Sequence, residues 1–168
     1  MPILGLEQLR RLADGDAASV SGELGVTLSS EWLDEVRILA GLRARQLAER
    51  PQDAPWLLRP IVRADTHEAV GFLNFHREPD ERGMIEIGYT LLPAARGQGY
   101  ALEAVRGMFA WAERRPEVRY LRAAIAPDNE RSINLVTKLG LVHIGEQWDE
   151  DDGRELIYER EVAADGPR

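Results

Sequence analysis

The residues best suited to do chemistry are Arg96-Gly97-Gln98-Gly99-Tyr100-Ala101, set between a strand-like run over 85–92 and a helix-like run over 102–113. A strand feeding a glycine-rich turn that opens a helix is a phosphate-binding arrangement. The first-turn N–H groups have no internal partner and point along the helix axis at whatever sits there. Glycine lets that backbone come close to a ligand, and Arg96 adds a permanent positive charge beside it. Two familiar phosphate binders do not fit. A nucleoside-triphosphate loop needs Gly-Lys-Ser/Thr, and no such triplet follows. A dinucleotide fingerprint needs a third glycine where this chain has Leu102, and it comes early in a βαβ unit rather than after antiparallel strands. A phosphate cradle and a purely structural turn both remain.

The elements that must hold this loop follow from the periodicity. Leu4, Leu6, Leu9 and Leu12 predict a short helix ending near Gly15. Ser29 or Ser30 caps a second helix with an apolar stripe at Leu33, Val36, Leu39 and Leu47, closed by Pro51 and Pro55. Residues 56–64, 70–76 and 84–92 read as strands, the first two joined through 65–68 and the last two through 79–83. Residues 98–115 read as a helix with Ala101, Leu102, Val105, Met108, Phe109 and Ala112 inward. A strand over 119–126, expected to be buried on both faces, a helix over 130–139 and a hairpin over 141–161 around an acidic turn complete the chain. The order α-α-β-β-β-α-β-α-β-β fits one mixed α/β domain.

Composition narrows the partners. The 168 residues are 44% hydrophobic and 30% charged, as in a globular domain with a substantial core. The 21 Lys+Arg against 29 Asp+Glu give a net charge of −8, which argues against nucleic acid and anionic membranes as partners. The absence of cysteine excludes disulfides, thiolate nucleophiles and cysteine metal sites. His67, His76 and His143 lack metal-ligand spacing, so no metal is expected. No apolar run approaches the roughly 20 residues of a bilayer span, and residues 1–11 lack a signal-peptide pattern, so a cytoplasmic location is expected.

Four ordered segments are more specific than the loop alone. Gly88-Tyr89-Thr90-Leu91-Leu92-Pro93, the 96–101 loop, Pro127-Asp128-Asn129-Glu130-Arg131-Ser132 and Lys138-Leu139-Gly140-Leu141 together resemble the GNAT superfamily of acyl-CoA-dependent N-acetyltransferases. The loop matches that family's cofactor signature, Q/R-x-x-G-x-G/A, at Arg96, Gly99 and Ala101. The later block resembles the branch of ribosomal-protein N-terminal (RimJ/RimL-like) acetyltransferases. The resemblance spans roughly 56–161 and leaves the first fifty residues poorly matched.

It implies an α/β (α+β) GNAT fold over 1–168 as a single domain. The sheet is mixed and mostly antiparallel, with a splayed central strand pair and flanking helices. Residues 1–50 would form a helical acceptor-side region and 56–161 the acyl-CoA-binding core. Strand 84–92 would splay from strand 119–126. The pantetheine arm of acetyl-CoA would then pair with Tyr89, Thr90 and Leu91. The pyrophosphate would sit on the N–H groups of Gly97, Gln98, Gly99, Tyr100 and Ala101, beside Arg96. Asn129 would hydrogen-bond the cofactor or a bound water.

The same resemblance implies acetyl transfer to a primary amine by direct attack, without an acyl-enzyme. The acceptor classes are a protein N-terminus, a small amine or polyamine, and an aminoglycoside-like antibiotic. Glu86 stands at the family's general-base position, with a solvated strand glutamate as the bland alternative. A base helps because a lysine amine titrates near 10.4 and an α-amine near 8. Val136 occupies the place where many members carry a tyrosine acid, and Ser132 is the substitute the resemblance offers. Asp128, Asn129 and Ser132 are equally ordinary helix-start residues. Val136 also supports a rival reading, a noncatalytic acyl-CoA-binding module. Homodimerisation is left open.

Overall fold

The computed structural model describes residues 1–150 and 153–163. The chain divides into two compact units. One comprises Met1–Glu78 with Tyr89–Tyr100, the other Pro79–Gly88 with the described residues from Ala101 onward.

The first unit is built on three helices, α1 (Leu6–Asp14), α2 (Ala17–Leu24) and α3 (Ser30–Glu49). In α1 the Gln8 side chain accepts from the Gly5 N–H at 3.0 Å, and Leu9 and Leu12 are buried. Asp16 caps α2 by accepting from Ser19 N at 3.0 Å, and Ser29 caps α3 by accepting from Trp32 N at 3.1 Å. Each cap satisfies a helix N–H that would otherwise have no partner. The inward face of α3 is Trp32, Val36, Ala40, Ala44 and Leu47, with Arg43 among them. The expected stripe members Leu33 and Leu39 are only half-buried, so the helix is rotated from the leucine-centred stripe. Trp32 is fully buried, edge-on to Phe72 with centroids 6.2 Å apart, and donates its indole N–H to the Gly71 carbonyl at 2.7 Å. At Trp32, one hydrogen bond and one aromatic contact thus tie the start of α3 to the sheet of this unit.

That sheet begins with β1 (Arg59–Val62) antiparallel to β2 (Ala69–Phe75), in register from Arg59 opposite Leu73 to Val62 opposite Ala69. β1 is shorter than the run expected over 56–64, because Trp56 belongs to the turn that follows a 3₁₀ segment, Pro51–Asp53, and donates to the Asp53 carbonyl. β2 continues to the end of β3 (Met84–Leu91): the Leu92 N–H donates to the Val70 carbonyl at 2.9 Å. Gly71 lies flush against this strand end, where a Cβ would meet the Thr90 carbonyl oxygen at 2.2 Å.

The second unit carries the start of β3, then α4 (Tyr100–Ala112), β4 (Tyr120–Ile125), α5 (Glu130–Lys138), β5 (Val142–Asp149) and β6 (Gly153–Glu161). Strands β3 and β4 are parallel, with Met84 opposite Tyr120, Ile85 opposite Leu121 and Glu86 opposite Arg122. The β4–β6 and β5–β6 ladders are antiparallel, giving the order β1-β2-β3-β4-β6-β5. The core of this unit includes Ile85, Val105, Met108, Phe109, Leu121 and Val136. The fold class is the expected mixed, mostly antiparallel α/β sheet with flanking helices.

Two further expectations are corrected. The helix α2 was not anticipated, since only Val20 of Ala17–Leu24 is buried and no stripe announces it. Strand β4 buries one face only: Leu121, Ala123 and Ile125 are buried while Tyr120, Arg122 and Ala124 are half-exposed. The acidic turn between β5 and β6 includes Asp151 and Asp152, which lie outside the described residues. Among the described residues, no helix is long and apolar enough to cross a membrane.

Because the Gly71 contact is with backbone, it cannot be relieved by a rotamer change. Gly71→Ala is expected to destabilise the protein by about 1–3 kcal/mol, read as a lower denaturant midpoint with the slope unchanged. A variant as stable as the wild type would show that the two strands separate freely.

Candidate functional site

Loop 96–101 is held at both ends by regular structure. A 3₁₀ turn, Pro93–Ala95, leads out of β3, and Tyr100 begins α4. Gly97 and Gly99 have φ of 76° and 87°, a left-handed conformation that side chains resist, and a Cβ at either would meet nothing within 4 Å. The space above them is open. No acceptor among the described residues engages the N–H groups of Gly97, Gln98, Gly99, Tyr100 and Ala101. Open space, left-handed glycines and unclaimed donors at a helix start fit a diphosphate. Gln98 is not aimed at that space, since its side-chain amide donates to the Ala94 carbonyl at 2.8 Å and braces the turn.

Arg96 is exposed and turned back on the strand, with Nε donating to the Leu91 carbonyl at 3.1 Å. Within one strand residue the N–H and C=O point to the same edge, and successive residues alternate. Leu92 donates to β2, so Leu91 and Tyr89 direct their backbone groups to the opposite edge of β3. The parallel ladder on that edge is registered only through Glu86, while β3 itself continues to Leu91. Thr90 presents its carbonyl to Gly71 instead. Of the three expected pantetheine-contacting residues, Tyr89 and Leu91 therefore share an edge and Thr90 faces away from it. The Tyr89 hydroxyl is buried.

In the second unit Glu86 is half-buried, on the strand face opposite buried Ile85 and Ile87. Its register neighbour Arg122 donates through Nε and Nη2 to the same oxygen of Glu159, at 3.1 and 3.0 Å. The Arg82 guanidinium takes the other Glu159 oxygen at 3.1 Å and lies 4.8 Å from the Tyr120 ring centroid. Glu159 is 8% exposed, so its charge is compensated twice where desolvation would otherwise be costly. Nothing local in the sequence marks this group, because its members come from β4, β6 and the turn before β3.

Asn129 is the N-cap of α5, its Oδ1 accepting from Ser132 N at 3.1 Å. The two residues are thus brought together by the cap itself. The Ser132 side chain is half-buried and Asn129 is exposed. Val136 is fully buried in the core. Among the described residues no group of three or more acidic or histidine side chains is arranged to hold a metal.

One cation near the loop was not anticipated. Arg63, at the end of β1, lies over the Tyr100 ring with Cζ 5.9 Å from its centroid. It is forked onto Asp65, with Nε and Nη2 at 3.0 and 2.6 Å from the two carboxylate oxygens. These hydrogen bonds push the Arg63 guanidinium up and hold the Asp65 carboxyl below its ordinary range. A lone arginine before a turn gives no sign in sequence that it will meet a helix start some forty residues on.

Comparison with known proteins adds four findings. A family model described as "Acetyltransferase (GNAT) domain" matches residues 8–142. The Bacillus subtilis protein YjdG, described as an uncharacterized N-acetyltransferase, is 39% identical over 125 residues, 71% of this chain and 72% of that protein. Among solved structures, RimL, a ribosomal L7/L12 alpha-N-protein acetyltransferase in complex with coenzyme A, superposes with a TM-score of 0.66 over 97% of this chain and 93% of that one, at 16% identity. A chimera of the Vibrio cholerae spermidine N-acetyltransferase SpeG gives 0.63 over 95% and 94%, at 12% identity. At such identities the two structures speak for the fold alone.

The cap geometry separates folding from chemistry at Asn129. Asn129→Ala is expected to cost about 1 kcal/mol of stability, whereas Asn129→Ser keeps a capping oxygen and is expected to melt with the wild type. Measuring donor affinity in the serine variant then isolates any ligand contact from the cap. An alanine variant of wild-type stability would contradict the capping role.

Proposed function

The chain belongs to the acetyltransferase (GNAT) family, whose members use acetyl-CoA as donor, and we propose that it acetylates a primary amine by direct attack on the thioester. The observation that carries the donor half is the row of unclaimed N–H groups over 97–101 beneath open space, reached through left-handed Gly97 and Gly99. In this reading those groups hold the diphosphate, with Arg96 fixed beside them by the Leu91 carbonyl. The Tyr89 and Leu91 edge of β3 takes the pantetheine arm, and the Leu91 N–H stabilises charge developing on the acyl oxygen. Asn129 contributes a hydrogen bond to the arm or to a water beside it.

Bound donor supplies an activated acyl thioester, and the chain's residues supply proton transfer. Glu86 takes a proton from the acceptor amine, so that its lone pair forms the new N–C bond as the C–S bond breaks. The departing thiolate is protonated by Ser132 or by water. A thiol titrating near 8.5 leaves readily, which makes a strong acid at the Val136 position dispensable. The helical region over 1–50 provides acceptor contacts. Acceptors of this chemistry are a protein α-amine or a small-molecule amine. RimL and SpeG are named for one of each.

Incubation with acetyl-CoA and a panel of N-terminal peptides, spermidine and an aminoglycoside, followed by thiol release and mass spectrometry of the acceptors, tests the proposal. At least one acceptor is expected to gain an acetyl group on nitrogen. Binding of acetyl-CoA without turnover across a broad panel would favour a noncatalytic module. Glu86→Gln is expected to lower turnover about 10²–10³-fold, most strongly at the lower end of the working pH range, where fewer amines are already neutral. An unchanged pH–rate profile removes Glu86 from the mechanism. Gly99→Glu, which puts a carboxylate into the diphosphate space and a side chain at a left-handed φ, is expected to abolish measurable donor binding by calorimetry.

A further inference from the structure

Arg63 lies outside the segments that match the family signature, yet it stands over the first residue of α4. Its Cζ is 5.9 Å from the centroid of the Tyr100 ring, and Tyr100 is one of the residues whose N–H groups are open. Asp65 takes one hydrogen each from Nε and Nη2. The remaining donors, those of Nη1 and the second of Nη2, have no acceptor among the described residues. A guanidinium offers five donors in a planar fork, so one edge can stay on a carboxylate while another meets a phosphate oxygen. The backbone seats it as well: the Arg63 N–H donates to the Glu68 carbonyl at 2.9 Å, and its own carbonyl accepts from His67 at 3.0 Å. The side chain therefore leaves a closed turn with Asp65 on one edge and an aromatic ring beneath, which limits where the free edge can go.

Resting on the donor cradle proposed above, the geometry points to Arg63 as a second cation for the donor's diphosphate, held in place by Asp65 and Tyr100. Arg96 approaches the loop from the β3 end and Arg63 from the β1–β2 hairpin. Arg96 brings a positive charge, and Arg63, whose charge Asp65 offsets in part, brings its free N–H donors, in a chain whose net charge of −8 otherwise repels anions. The Arg63 hydrogen bonds hold the Asp65 carboxyl below its ordinary range, so at neutral pH it is ionised and able to take the guanidinium edge. The fork is formed within the turn itself, which leaves less to order when the donor binds.

The test is isothermal titration of the full chain with coenzyme A and with dephospho-coenzyme A, a readout independent of turnover. Arg63→Met is expected to weaken both ligands by about tenfold. Arg63→Lys, which keeps the charge and most of the stem, is expected to recover part of that loss, to within about threefold of wild type. Each variant's melting temperature without ligand is recorded alongside. The lysine variant carries the comparison if methionine lowers stability. Unchanged affinity in Arg63→Met overturns the proposal, as does a lysine variant no better than methionine. A loss seen with coenzyme A but absent with dephospho-coenzyme A also overturns it, since the contact is then to the 3′-phosphate. Failure of the wild-type chain to bind either ligand is a different result, which removes the donor cradle itself.

Discussion

The close approach of Gly71 to Thr90 is the constraint on which the loop over 96–101 depends. A Cβ at Gly71 would lie 2.2 Å from the Thr90 oxygen, and one residue along, Leu92 donates to Val70. Together these fix the end of β3 in position and in phase. Once Leu92 turns its N–H to β2, Leu91 must present its own groups to the other edge, which is where Arg96 finds a carbonyl. The 3₁₀ turn of Pro93–Ala95 then starts from a defined point, and the left-handed Gly97 and Gly99 deliver the chain into α4 with its first N–H groups unclaimed. Trp32 reinforces the same place by donating to the Gly71 carbonyl, so the long helix α3 bears on the loop through a single backbone group.

Much of this was legible in the sequence because its signals are local. A strand pattern ending at Pro93, two glycines spaced for a tight turn, and an apolar helix period are all contained in some thirty residues, and the family signature lies within them. The caps of α3 and α5 were visible for the same reason, since Ser29 and Asn129 act on N–H groups three residues away. What escaped was long-range. The helix α2 buries Val20 and little else; the Asp16 cap starts it, and the exposed Arg11–Glu23 pair links it to α1. The Arg63 position over Tyr100 and the doubly compensated Glu159 depend on residues far apart in sequence, and no periodicity reports them.

Buried polar groups distinguish the two units and bear on how each keeps its shape. In the first, Asp53 is fully buried and accepts from the Gln46 side chain at 2.7 Å and from the Glu78 N–H at 3.3 Å. Arg43, whose burial pushes its guanidinium down, reaches Asn74 at 3.1 Å, Gln46 and the His76 carbonyl. In the second unit, Glu159 is clamped by Arg122 and Arg82. Such groups add little net stability over an apolar replacement, but each accepts only partners at set distances and angles. An apolar residue at position 43 or 159 could slide along its neighbours, whereas these pairs hold α3 to β2 and β6 to β4 in one register.

That distinction has a consequence for Glu86. Its strand neighbour Arg122 is a full positive charge, and a bare cation beside a carboxylate favours the ionised form and weakens it as a base. Here both of the donors Arg122 directs to Glu159 fall on one oxygen, and Arg82 occupies the other. The clamp therefore does two things with one set of contacts: it fixes the register of β4 against β6, and it offsets much of the charge that Arg122 would otherwise present to the face carrying Glu86. For the proposed role of Glu86 as base that pairing matters, because a paired arginine stabilises an ionised neighbouring carboxylate less than a bare one. The pairing has to be rigid, because an exposed ion pair would exchange partners with every fluctuation. Burial of Glu159 to 8% exposure provides that rigidity.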